Sequence, residues 1–287
     1  MDLRPVQEQP EPPEQPHLLF EQPPQRLVSL VPSLTESLFD LGFGDRVVGV
    51  TDYCVEPSTI PYISRVGGTR DARLEDIMLL FPDLVLAGRE ENARPTIENL
   101  RQRGIKVWVT HPTNILDCMN MLWEMVTLFR SPEAMKKVQM LDREVDAART
   151  ATLEQTPVRV FCPIWQEENG AQLRWMTFND QTYPADVLAL LGCQNVFGGR
   201  RGPEGVDAWR YPWVTIVDVI EADPEIILLP DEPFNFTAEH QKQMMTLFAS
   251  TTAGRQKRFV RFEGSLLMWY GTRLSRALKI LPALLAN

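Results

Sequence analysis

The chain has 287 residues, of which 44% are hydrophobic and 23% are charged. This composition is typical of a globular protein, and the length suffices for two domains of ordinary size. The formal net charge of −9 leaves no basic surface that would bind a phosphate backbone, which excludes nucleic acid as a partner. Because no run of roughly 18 to 20 apolar residues occurs, we expect no membrane insertion.

Residues 1–25 are rich in proline, glutamate and glutamine, and we predict that they form a disordered tail. This segment has neither the basic start nor the apolar stretch of a secretory signal. The four cysteines lack the spacing of metal ligands and are interpreted as buried free thiols. Both observations favour a cytoplasmic location; the alternative is a periplasmic or extracellular location after removal of a signal peptide.

From residue 26 onward, short apolar runs typical of buried strands alternate with helical patterns. The first run is Leu27 to Val31, and Ser33 and Glu36 after it are spaced as a capping box that begins a helix. Further apolar runs predict strands at 47–50, 84–87 and 106–109, and helical patterns lie between them at 74–81 and 96–103. This alternation predicts parallel β-α-β units.

A second series of the same kind follows, with predicted strands at 158–161, 226–229 and 259–262. Between the two series, a pattern without turn signals predicts a helix from Pro132 to about residue 154. The predicted fold is therefore α/β, with two Rossmann-like lobes that have parallel sheets and are joined by one long backbone helix. We place the N-terminal lobe at 26–131, the connecting helix at 132–156 and the C-terminal lobe at 157–287.

An internal repeat supports two related lobes. The residues Asp76-Ile77-Met78 and, after a gap, Pro82-Asp83-Leu84-Val85-Leu86 recur as Asp218-Val219-Ile220 and Pro224-Glu225-Ile226-Ile227-Leu228 with the same spacing. Each copy predicts a short helix, a proline that ends it, and a buried strand directly afterwards.

The ordered motifs of residues 26–36 (RLVSLVPSLTE), Val66-Gly67-Gly68, Leu74-Glu75 and Pro82-Asp83-Leu84-Val85 resemble those of the class III, helical-backbone periplasmic binding proteins. The nearest resemblance is to the cobalamin- and iron-chelate-binding receptors, of which this chain resembles an offshoot without a signal. The resemblance implies that a metal chelate binds in the cleft between the lobes. It also implies cobalamin, haem or an iron chelate as the ligand, with no cofactor required.

The resemblance further implies contact with the permease of an ABC transporter. The cobalamin receptors dock through one glutamate in each lobe, and Glu75 stands at the first of these positions. Val217 occupies the second position, so docking at two points is not implied here.

Candidate ligand contacts follow the strands, because the carboxyl ends of parallel strands face the crevice of an α/β sheet. Tyr53 matches a ligand-contacting tyrosine of the cobalamin receptors, whereas Thr69 and Gly88 stand where those receptors have aromatic rings. The second lobe carries clustered aromatic rings and arginines, which suit stacking on a flat chelate and pairing with its rim. These further candidates are Trp165, Trp175, Arg210, Trp213, Trp269, Tyr270 and Arg273.

Two of the candidates have an equally simple alternative. Arg273 is expected either to bind a ligand anion or to form a salt bridge with an acidic neighbour such as Glu232. His111 either coordinates a metal already held by a chelate, as an axial ligand, or forms a loop hydrogen bond beside Pro112.

A non-catalytic binding protein for a metal chelate is the function that these features favour. The alternative is a cytoplasmic enzyme or sensor that uses the same cleft for a small anionic substrate. With three histidines and no motif that links a nucleophile to a base, the sequence favours binding over catalysis.

Overall fold

The structure is a computed structural model of the chain and describes residues 20–57, 60–169, 172–201 and 210–286. The strands of the described residues are β1 Leu27–Ser29, β2 Val47–Val50, β3 Ser64–Arg65, β4 Leu84–Gly88, β5 Val107–Thr110, β6 Val158–Phe161, β7 Trp165–Asn169, β8 Gln172–Met176, β9 Cys193–Asn195, β10 Trp213–Thr215, β11 Ile226–Pro230 and β12 Phe259–Phe262. The α-helices are α1 Pro32–Asp40, α2 Leu74–Leu79, α3 Arg94–Gln102, α4 Ile115–Phe129, α5 Pro132–Thr152, α6 Tyr183–Leu190, α7 Ile216–Ala222, α8 Ala238–Leu247, α9 Thr252–Gln256, α10 Ser265–Met268 and α11 Arg273–Ala286.

Two parallel sheets form the centres of the two lobes. The first has the strand order β3-β2-β1-β4-β5, and the second has the order β12-β11-β6-β9. Strands β1, β4 and β11 are buried on both faces, as the continuous apolar runs predict. The predicted two-lobed α/β fold is confirmed. A third sheet of antiparallel strands, β10-β8-β7, was not predicted.

The predicted long helix is α5, which has 21 residues and a length of about 32 Å. It begins at Pro132, where the side chain of Ser131 accepts a hydrogen bond from the backbone N–H of Ala134 (3.2 Å). Its apolar face, which includes Leu141 and Val145, is buried. The exact lobe boundaries on either side of it stay predictions. Within the described part of the chain, no helix combines the length and apolar character needed to cross a membrane.

The predicted capping box of α1 is absent. The helix begins two residues earlier, at Pro32, and its N-cap residue is Val31 instead of Ser33 and makes no side-chain hydrogen bond. Proline at the first helical position has a preset backbone angle and lacks an N–H group that would need a partner, so it favours the start of a helix here. Glu36 is therefore available for a different contact, described below.

Residues 1–19 of the predicted tail lie outside the described residues. The remainder of that segment contacts the N-terminal lobe: Arg130 donates hydrogen bonds to the carbonyls of Phe20 (3.3 Å) and Glu21 (3.0 Å). The ammonium group of Lys106 lies 3.8 Å from the centre of the Phe20 ring. The chain is thus anchored from Phe20 onward, several residues before the predicted start of the lobe.

A continuous apolar core joins the two lobes behind the sheets. It contains Leu34 of α1, Leu122 of α4, Leu141 of α5, Val160 of β6 and Leu274 of α11, all of them buried. Helix α11 follows the C-terminal sheet in the chain but packs against α5 and α1. The lobes therefore share one hydrophobic core in addition to the connecting helix.

Gly271, between α10 and α11, sets how closely α11 approaches α1. Its φ of +99° lies in the region that favours glycine. A Cβ atom at this position would lie 2.2 Å from the side-chain oxygen of Ser37 in α1. The absence of a side chain thus permits the close contact between the lobes.

We expect Gly271→Ala to lower the free energy of unfolding by about 2 to 4 kcal/mol, because alanine adds both backbone strain and a clash with Ser37. Gly104→Ala is the matched control, since Gly104 also has a positive φ (+81°) but open space around it. That change should cost only about 1 kcal/mol. Urea unfolding of both variants measures the difference, and equal losses would contradict the close contact at Ser37.

Candidate ligand-binding site between the two lobes

The segments that follow the N-terminal strands converge at one edge of their sheet. The buried side chain of Asn92 accepts a hydrogen bond from the backbone N–H of Gly88 (2.8 Å). Its amide nitrogen donates to the carbonyls of Leu30 (3.1 Å) and Thr69 (2.7 Å). One side chain thus joins the segments after β1, β3 and β4 into a single surface.

The corresponding segments of the C-terminal lobe also meet. Asp231, which follows β11, accepts a hydrogen bond from the backbone N–H of Gly264 after β12 (2.7 Å). Trp165, which lies four residues after β6, packs edge-on against Phe234, with the ring centres 5.5 Å apart. In both lobes, side-chain contacts therefore hold together the segments that follow the carboxyl ends of the strands.

These two surfaces contact each other through polar side chains. Glu90, after β4, binds Arg210 of the second lobe with a distance of 2.6 Å between Oε1 and Nη2. The hydroxyl of Tyr211 donates to the other carboxylate oxygen of Glu90 (2.9 Å). The hydroxyls of Thr110 and Tyr270 lie 3.2 Å apart. The segments at the carboxyl ends of the two sheets are therefore joined by direct contacts between the lobes.

Several of the predicted aromatic contacts border this region. Tyr53 lies just beyond β2, and 46% of its surface is exposed. Trp213 and Trp269 are partly buried and each carries an arginine over its ring, with Arg174 4.4 Å from the ring centre of Trp213. Tyr270 is buried, and its hydroxyl reaches Thr110 of the N-terminal lobe.

Trp175 does not lie at the cleft, contrary to the prediction. It lies in the middle of β8, is fully buried, and packs against Phe248 in the core of the C-terminal lobe. Its indole N–H donates to the side chain of Gln166 (2.8 Å). The surrounding segment is a strand rather than a loop, so its side chains alternate between the core and the opposite face.

Arg273 is the second candidate that the structure places elsewhere. It is 3% exposed, donates from Nε to Glu36 (2.8 Å), and donates from Nη1 to Glu263 (2.7 Å) and Ser265 (2.9 Å). Its charge is therefore compensated within the protein, by one carboxylate of each lobe. Of the two alternatives given by the sequence, the structure shows the salt bridge, with Glu36 and Glu263 as the partners instead of Glu232.

His111 faces a carboxylate of the protein. Its Nε2 lies 3.8 Å from Oε1 of Glu90, the oxygen that also binds Arg210. Its role as an axial metal ligand stays a prediction. Among the described residues, no group of three or more histidine, cysteine or acidic side chains is arranged to hold a metal ion.

The sequence analysis did not predict the acidic side chains of the cleft. Glu91 folds over Gly88, where a Cβ atom would lie only 1.9 Å from its carboxylate. Burial, followed by the charge of Glu90, raises the pKa of Glu91 to about 7. Burial beside Asp231 likewise raises the pKa of Glu232 to about 7. The available signal was the pair of consecutive acids, Glu90 and Glu91, that follows the buried strand β4 after one residue.

The two positions compared with docking glutamates are equivalent in the two lobes. Glu75 is exposed in the first turn of α2, and Val217 is 62% exposed in the first turn of α7. The next residue in each helix is the repeated aspartate, which pairs with an arginine in both lobes. The repeat thus extends to the placement of these exposed side chains.

Comparison with known proteins identifies the family to which the chain is similar. The family described as "Periplasmic binding protein" matches residues 27–265. The vitamin B12-binding protein of Yersinia pestis (strain Pestoides F) is 27% identical over 206 residues, which cover 71% of this chain and 69% of that protein. The vitamin B12-binding protein of Vibrio parahaemolyticus is 26% identical over 220 residues, which cover 76% and 72%.

Solved structures share the fold. The periplasmic vitamin B12 binding protein of Vibrio cholerae aligns with a TM-score of 0.74 and 22% identity, over 92% of this chain and 97% of that chain. The periplasmic haem-binding protein from Roseiflexus sp. RS-1 aligns with a TM-score of 0.73 and 21% identity, over 91% and 97%. At these identities the likeness concerns the architecture of two lobes.

The predicted cytoplasmic location is wrong. The matching family consists of periplasmic binding proteins, and both solved structures are of periplasmic proteins. The composition of the first residues and the presence of free thiols were insufficient grounds for assigning a compartment.

We expect the protein to lose stability as the pH rises from about 5 to 8, because Glu91 has a higher pKa in the folded state than in the unfolded state. Between its ordinary pKa of 4.5 and about 7, the folded state holds a proton that the unfolded state has released, so stability falls across this range and levels off above pH 7. Glu91→Gln should reduce the loss by about 1 to 3 kcal/mol and leave the part due to Glu232. Urea unfolding at both pH values measures it. Glu98→Gln, an exposed change in the same lobe, serves as the control and should leave the pH dependence intact.

Proposed function

This chain belongs to the periplasmic binding protein family, and from that membership we propose that it is a non-catalytic receptor for an amide-rimmed metal chelate of the cobalamin class. One observation carries the proposal: segments at the carboxyl ends of two parallel sheets contact each other, and these segments carry aromatic rings and carboxylates. Ligands of open α/β folds bind at such edges. The chelate is the cargo of the protein, and no resident cofactor is required.

Aromatic side chains supply the stacking surface for a flat ring. Tyr53 offers its ring from the N-terminal lobe, and Trp165, Trp213 and Trp269 are partly open in the C-terminal lobe. Stacking on exposed rings suits a macrocycle, since both surfaces are flat and apolar. We propose these four residues as ligand contacts.

The charge of the cleft favours a corrinoid over haem. Glu90, Glu91, Asp231 and Glu232 lie on its two sides, and the guanidinium of Arg210 is already bound by Glu90. Haem carries two propionate groups, which would meet these acids. A corrin ring carries primary amides, whose N–H groups donate hydrogen bonds to carboxylates. The vitamin B12-binding relatives agree with this choice.

Catalysis is disfavoured by the state of the potential nucleophiles. The four cysteines are buried. Burial raises the pKa of the Cys118 thiol to about 12, and the pKa of Cys162 is raised further by the same cause. Such thiols remain protonated and unreactive at neutral pH, which supports a binding role.

We extend the proposal to delivery of the ligand to an ABC permease from the periplasm. Glu75 would supply a charged contact from the first lobe, and the exposed side chain of Val217 would supply an apolar one from the second. Docking would then depend on one ion pair instead of two.

Titration with cyanocobalamin, followed by calorimetry, tests the proposed ligand class. We expect a Kd in the micromolar range or below, and Tyr53→Ala should weaken binding by about 5- to 20-fold through the loss of stacking. Tyr62→Ala is the matched control, because Tyr62 is also exposed but lies two residues before β3. It is therefore at the amino end of its strand, whereas Tyr53 follows the carboxyl end of β2. This change should leave the affinity unaltered.

Failure of the unaltered protein to bind cyanocobalamin would contradict the proposal, and tighter binding of haemin in the same assay would reassign the ligand to the porphyrins. Equal effects of the two tyrosine variants would remove Tyr53 from the site.

A further inference from the structure

Glu90 is the acidic residue of the cleft with the closest polar contacts across it. It follows β4 of the N-terminal lobe, while its partners Arg210 and Tyr211 precede β10 of the C-terminal lobe. Each carboxylate oxygen has its own partner: Oε1 binds Arg210 at 2.6 Å, and Oε2 accepts from the Tyr211 hydroxyl at 2.9 Å. The first distance is that of a close ion pair, and the second is that of a hydrogen bond.

The partners of Glu90 are the groups that a ligand carboxylate would otherwise bind. An arginine and a phenol hydroxyl on one side of a cleft form a recognition site for a carboxylate. The side chain of Arg210 is only 10% exposed, so its access to a ligand is already restricted. Glu90 itself is 37% exposed, and the carboxylate can therefore be approached from the cleft.

From this arrangement we infer that Glu90 is an internal competitor that selects ligands by the charge of their rim. Resting on the proposed function, this assigns Glu90 a specificity role at the same site. The carboxylate of the protein occupies Arg210 and Tyr211 in place of a ligand carboxylate. An acidic chelate has to displace the Glu90 carboxylate from these partners, and the cleft then holds two carboxylate charges, that of the ligand and that of Glu90.

A chelate with an amide rim does not meet this obstacle. Its N–H groups donate to the remaining lone pairs of Glu90 without breaking the contact with Arg210. Glu90 therefore both closes the site to carboxylates and presents an acceptor to amides. Rejection arises from a repulsive group that is built into the site, in addition to any attractive contacts with the preferred ligand.

The selection can be measured with ligands that differ only at the rim. The probes are cyanocobalamin and its three monocarboxylic acids, each obtained by hydrolysis of one peripheral amide and tested separately. We expect the unaltered protein to bind at least one of the acids about 10-fold more weakly than cyanocobalamin. Glu90→Gln should lower the Kd ratio of that acid to cyanocobalamin by about 10-fold, because the glutamine carries no competing charge.

Glu98→Gln is the matched control for the loss of one negative charge. Like Glu90, Glu98 pairs with an arginine. Its partner, however, is Arg94 of its own lobe, and the pair lies on the exposed surface of α3. This change should leave the ratio as it is. An unaltered ratio in Glu90→Gln for all three acids, or an equal shift in both variants, would overturn the inference.

A measurement without ligand separates this inference from the proposed function. If Glu90 and Arg210 form the contact, the shift in Tm caused by Glu90→Gln should be at least halved when Arg210 is replaced by methionine. If the Tm shifts of the two substitutions are coupled but cyanocobalamin does not bind, the contact between Glu90 and Arg210 is retained and the proposed ligand class is refuted. Cyanocobalamin binding with independent Tm shifts would retain the function and refute the role of Glu90.

Discussion

The buried guanidinium of Arg273 fixes how the two lobes are positioned. A charge removed from water is tolerated only where opposite charges and hydrogen bonds surround it, and removal of one partner leaves an uncompensated ion. Glu36 belongs to the N-terminal lobe, and Glu263 follows the last strand of the C-terminal sheet. Separation of the lobes at this point would therefore take Glu36 away from Arg273 and leave its charge only partly compensated. The shared apolar core and the close approach at Gly271 act in the same direction.

Much of the fold could be predicted because its central strands are buried on both faces and appear as uninterrupted apolar runs. The strands at 158–161 and 259–262 were located with their observed bounds. The antiparallel hairpin of β7 and β8 was not predicted, because it contains polar residues such as Glu167 and Arg174, which pair across the strands. Such a pattern is shared with surface loops, and only the pairing of the strands distinguishes them.

The candidate site could be predicted only in part, since a sequence identifies a ring or a charge but not its partner. Arg273 and Trp175 have the chemistry of ligand contacts. Yet Arg273 is neutralised by Glu36, 237 positions away, and by Glu263, 10 positions away, and Trp175 fills a core. Thiols misled the assignment of compartment for a related reason. Burial raises their pKa and suppresses the reactive thiolate, so such thiols persist in an oxidising compartment as well.

The packing of α11 against α1 has a consequence for folding. The bond between Arg273 and Glu36 spans 237 positions of the chain, and that between Thr272 and Ser37 spans 235. Contacts of such high sequence separation slow folding, because the entropy of closing the loop is lost before the contact forms. During synthesis the contacts of α1 with α11 can therefore form only after the residues of α11 have been added. A truncation that removes α11 would expose the first lobe to aggregation, although every residue of that lobe is still present.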